Sequence, residues 1–152
     1  MAKKKSSPEK PGIQLKKLNF LIGKWHTQGK ILQGSSASSK DIRGIDSYEL
    51  VSGGAFILHR VDVFMGDKRT EAIEIIGYDE SRKSYFMKSF DDQGASITMY
   101  ATLEKSGILK FGDNKMRAVL TANKKGNSMS AKWELSENGK TWKHWMDIQL
   151  DK

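Results

Sequence analysis

From Gly23 to the C-terminus the chain runs in stretches of about seven to eleven residues rich in β-branched and aromatic side chains, in most of which apolar and polar residues alternate with a period of two. Turn-forming clusters separate the runs: Gly34–Ser39, Gly53-Gly54, Gly66-Asp67, Asp79–Arg82, Asp91–Gly94, Ser106-Gly107, Gly112–Asn114, Asn123–Asn127 and Glu137-Asn138-Gly139. Glycine, asparagine and aspartate recur there because hairpin turns need positive φ or local side-chain hydrogen bonds. Nine turns predict ten strands. No stretch between them is long enough for a helical crossover, and both prolines, Pro8 and Pro11, precede the first strand, so no ladder is interrupted. Closure of such a meander removes both exposed sheet edges. The chain is therefore predicted to be all-β, a ten-stranded antiparallel up-and-down barrel in preference to a sandwich.

One segment has a different rhythm. Leu15, Leu18, Leu21 and Ile22 share a helical spacing with lysines opposite, and Pro11 stands where proline does a helix least harm. Residues 13–22 are predicted to form a short amphipathic helix that closes one end of the barrel.

Parity sorts the strands into an inside and an outside. Ile97, Met99, Ala101 and Leu103 are expected to face inward in the sixth strand, Met116, Ala118 and Leu120 in the eighth, and Met129, Ala131, Trp133 and Leu135 in the ninth. In the last strand Trp142, His144, Met146, Ile148 and Leu150 fall on one face, opposite Lys143, Trp145, Asp147 and Gln149, which puts His144 inside. In the third strand Ile57, His59, Val61 and Val63 oppose Arg60 and Asp62, so His59 is also interior. The fifth strand, residues 84–90, is apolar on both parities and has no assignable inner face.

Charge changes this picture at one place. The net charge is +8, and residues 1–17 hold six lysines against Glu9 alone, so the body is only mildly basic. The first twelve residues read as a basic, solubilising tail and residues 13–152 as one domain. Nucleic-acid binding is not expected of so uneven a distribution. No apolar run is long enough to span a bilayer, no apolar region follows the N-terminal lysines as in a secretory signal, and there is no cysteine. These features point to a cytoplasmic protein without membrane insertion, and a homodimer is compatible with them.

Four features carry a resemblance. They are Gly23-Lys24-Trp25 after the helical segment, Gly53-Gly54 after Tyr48-Glu49-Leu50, Gly77-Tyr78-Asp79, and Ser136-Glu137-Asn138-Gly139-Lys140-Thr141-Trp142. Together they resemble a family of small bacterial lipocalin-like (calycin-type) barrels of unknown function, over residues 15–150. The resemblance implies a ten-stranded barrel with a pocket and no established activity. It extends distantly to the nitrobindins, which bind haem through a histidine near the C-terminal end. His144 is the candidate counterpart, although Trp142-Lys143-His144-Trp145 does not reproduce that signature, and haem is kept as a minor alternative.

The leading functional expectation is a binding module for a small hydrophobic or aromatic ligand, packed against Trp25, Met99, Met129, Trp133 and Met146 and oriented by His59 or His144. The alternative is a small isomerase or hydrolase using the two histidines. His59 with Asp62 and His144 with Asp147 are each three residues apart, which places the partners on opposite faces of a strand. A dyad would have to form across strands, as His59 with His144 or either with Glu74. Metal-ligand spacing and nucleophile motifs are absent, so no metal or catalytic residue is assigned. Deleting residues 1–11 should shift the urea midpoint by less than about 0.5 kcal/mol in equivalent stability, because a charged tail buries little.

Overall fold

The computed structural model describes residues 12–32, 39–105 and 107–152. Ten strands follow in order: β1 (Gly23–Leu32), β2 (Ser39–Val51), β3 (Phe56–Met65), β4 (Lys68–Asp79), β5 (Ser84–Asp91), β6 (Ser96–Lys105), β7 (Ile108–Gly112), β8 (Met116–Ala122), β9 (Ser128–Leu135) and β10 (Lys143–Asp151). Each pairs antiparallel with the next, and β1 pairs with β10 to close the barrel. The predicted fold class is the one observed. Among the described residues no helix is long and apolar enough to cross a membrane. The N-terminal tail and most of the Gly34–Ser39 turn lie outside the described residues.

The single amphipathic helix is corrected. A four-residue helix α1 (Ile13–Lys16) is followed by a separate 3₁₀ turn at Asn19–Leu21. Leu15, Leu18 and Leu21 recur every three residues, the period of tight 3₁₀ turns, and each is at most 2% exposed. Ile22 is already extended and leads into β1. These turns still close one end. Trp25 is fully buried beneath them, its Nε1–H donates to the Leu21 carbonyl at 2.8 Å, and Tyr85 donates its hydroxyl to the Gln14 carbonyl at 2.7 Å. Lys152 Nζ lies 4.7 Å from the Trp25 ring centroid.

The inner faces of β3, β6 and β8 follow the expected parity. In β9, Met129 and Ala131 are buried and Trp133 is half-buried, but Leu135 at the strand end is exposed. β5 resolves once its neighbours are fixed: Tyr85 and Met87 point inward, and Met87 pairs with inward Met99. Gly44 in β2 has φ 157°, and a side chain there would meet the Asp62 carbonyl at 2.3 Å. Only glycine lets β3 approach so closely at this inward position.

β10 contains the main departure from parity. Pairing with β9 runs His144 to Glu134 and then Met146 to Trp133, so Trp145 is an extra residue in a β-bulge. Beyond it the faces exchange. Met146, Ile148 and Leu150 point inward as expected, whereas Trp142 lies outside under the Arg117 guanidinium, 4.1 Å from its centroid. His144 is not interior. It is exposed and pairs with Asp147 at 2.9 Å, the contact that unbroken alternation would forbid.

Trp25→Ala should remove the plug under the N-terminal turns and cost about 3–5 kcal/mol, as deletion of a buried aromatic does, read from urea denaturation with midpoint and slope taken separately.

Candidate functional site

Four neighbouring strands each contribute one polar side chain to the barrel interior. They are Thr27 of β1, Asp46 of β2, His59 of β3 and Glu74 of β4. His59 stands directly opposite Tyr48 on one side and Glu74 on the other, and Asp46 is opposite Trp25 and diagonal to His59. The register therefore delivers the layer without a loop. Asp46 and Glu74 are each 7% exposed and Thr27 5%.

The layer is closely bonded. His59 Nε2 is 2.6 Å from Asp46 Oδ1, and His59 Nδ1 is 3.1 Å from Glu74 Oε1. Thr27 donates its hydroxyl to Asp46 Oδ2. Ionised carboxylates only accept, so both ring nitrogens of His59 act as donors and the ring is an imidazolium. Burial opposes that charge, but the hydrogen bonds and negative charges of Asp46 and Glu74 outweigh it and raise the pKa to about 9. Tyr48 stacks on the ring, with centroids 3.9 Å apart and planes 10° from parallel, an arrangement that favours the cation. Burial, followed by the charges of Asp46 and Glu74, pushes the Tyr48 hydroxyl well above its ordinary range.

Beside the layer is a cavity of about 250 Å³. Its remaining wall is mostly apolar and includes Ile42, Val63, Met87, Met99, Phe111, Trp133, Trp145 and Met146. Phe111 meets Trp133 edge-on at 5.2 Å, and Trp133 meets Trp145 edge-on at 6.1 Å. Inward-facing Ile97 is 39% exposed, which marks the end of the barrel away from Trp25 as the more open one.

Of the seven residues singled out from the sequence, His59, Met99, Trp133 and Met146 line this cavity. Trp25 and Met129 are buried in the core but are not among its lining residues, and His144 is on the outer surface. The pairing of His59 with Glu74 anticipated across strands is present, and that of His59 with His144 is excluded by the bulge. Asp46, Tyr48 and Thr27 were missed. The signal for two of them is the parity of β2, where buried Ile42 and Tyr48 put Asp46 on the inner face.

Haem does not fit these residues. Both nitrogens of His59 are engaged by carboxylates, and His144 does not reach the interior. Among the described residues no group of histidine, aspartate and glutamate is arranged to hold a metal ion.

The family described as "Protein of unknown function (DUF1579)" matches residues 10–152. No curated protein gives a match to the chain.

The raised His59 pKa fixes a sign for stability. The group ordinarily titrates near 6.5 and in the fold near 9, so its contribution is complete below about pH 6.5 and is lost as pH rises through 9. Stability should fall by up to about 3 kcal/mol across that window in urea titrations, and His59→Gln should flatten the slope.

Proposed function

The chain belongs to the DUF1579 family, and from that premise we propose that it is a binding module that takes one small apolar molecule into the barrel and orients it against Asp46, His59 and Glu74. The observation that carries this reading is the division of the cavity wall. Polar groups are concentrated on β1 to β4, while β6 to β10 present mainly methionine, aromatic and aliphatic side chains. Ligand pockets have this composition, with a few polar groups that orient the ligand and a larger apolar surface that binds it.

Met87, Met99, Met116 and Met146 supply adaptable walls, and Trp133 and Trp145 supply flat ones. The alternative, an enzyme that uses His59 as its base, is less well supported. A histidine that donates from both nitrogens has no lone pair to accept a proton, and releasing one would leave a buried carboxylate unpaired.

Ala131 is 5% exposed and lines the cavity, so a larger side chain there would occupy ligand space. N-phenylnaphthylamine should bind at one molecule per chain with a blue-shifted emission. Ala131→Phe should weaken that binding by about ten-fold while leaving the far-ultraviolet circular dichroism intact. Absence of any emission change with the wild-type chain would instead mean a filled core.

A further inference from the structure

The titratable groups on the cavity wall have a definite balance. Among the described lining residues there is no lysine or arginine, and His59 is the single basic side chain, facing the carboxylates of Asp46 and Glu74. The formal charge of the layer is therefore negative whether His59 is protonated or neutral. The chain as a whole has the opposite sign, with a net charge of +8.

The carboxylate oxygens are unequally occupied. Asp46 Oδ1 and Glu74 Oε1 face His59, and Asp46 Oδ2 accepts from Thr27. Glu74 Oε2 has no hydrogen-bond partner among the described residues, although Glu74 is only 7% exposed. No sealed polar side-chain atom among those residues lacks a partner, so this oxygen is reached from the cavity that Glu74 lines. Ser89, the register partner of Glu74 on β5, adds a hydroxyl-bearing residue to the same wall.

A carboxylate oxygen in this position needs a donor, and beside a mostly apolar wall a charged donor is favoured most. We propose that the ligand is an apolar amine, with its protonated nitrogen at Glu74 Oε2 and its aliphatic or aromatic body against Met99, Trp133 and Met146. The proposal rests on the binding reading above. It excludes fatty acids and other apolar anions, which would bring a second negative charge to the layer.

Isothermal titration of the full chain at pH 7 with octylamine, octanol and octanoate separates the cases. Octylamine should bind at least about ten-fold more tightly than octanoate, the worth of one charge-assisted hydrogen bond. Glu74→Gln should weaken octylamine by about ten-fold and octanol by a clearly smaller factor, since only the amine loses an ion pair. The surface charge favours the anion, so adventitious binding outside the barrel predicts the reverse order. Octanoate equal to or tighter than octylamine, or an equal loss of octylamine and octanol in Glu74→Gln, overturns the amine assignment while leaving a binding cavity. Failure of all three to bind overturns the cavity reading and this assignment with it. The order on the wild-type chain decides the matter even where the substituted chain does not fold.

Discussion

The ladder between β1 and β10, running from His26 opposite Asp151 to Ile31 opposite Met146, turns a ten-stranded meander into a closed barrel. An open meander of ten strands would leave two edges of unpaired backbone groups and a face that water could enter from either side. Closure gives every strand two neighbours and makes the inner face an enclosed space. Whatever parity directs inward must then pack or find a polar partner inside.

That requirement explains the layer across β1 to β4. Asp46, His59 and Glu74 are brought inside by the same alternation that brings in Ile42, Ile57 and Ile76. Burying any one of them alone would be costly, and together they form an ion triad whose remaining contacts are Thr27 and the Tyr48 ring. Well-packed apolar residues of similar volume often replace such a buried ion group at little or no cost in stability. Beside an apolar cavity, such a layer suits the proposed binding of a ligand by its polar end.

The two ends of the barrel differ in kind. Leu15, Leu18, Leu21 and Trp25 seal one end, and the largest group of buried residues is continuous with them. Towards the other end the packed groups are fewer, centred on Ile42, Val63 and Met146, with Trp133 and Trp145 half-buried around them. The Trp145 bulge contributes directly to this difference: it sets Trp145 on the cavity wall while sending Trp142 and His144 to the outside. Bulges commonly re-aim side chains near barrel rims in this way.

Strand number, turns and the inner faces of β3, β6, β8 and most of β9 are legible from the residues alone, because glycine, asparagine and aspartate mark positive-φ positions locally and parity propagates without error along an uninterrupted strand. His59 was legible on those grounds, as were Met99, Trp133 and Met146. The remaining features depend on contacts between strands. A bulge depends on how β10 meets β9, so the outward turn of His144 had no local signal. The division of residues 13–22 into two short turns was set by the need to pack Leu15, Leu18 and Leu21 over the barrel end, which overrides helical spacing. The meeting of Thr27, Asp46, His59 and Glu74 was decided by register across four strands, a relation between residues up to 47 positions apart in the chain that no single strand encodes.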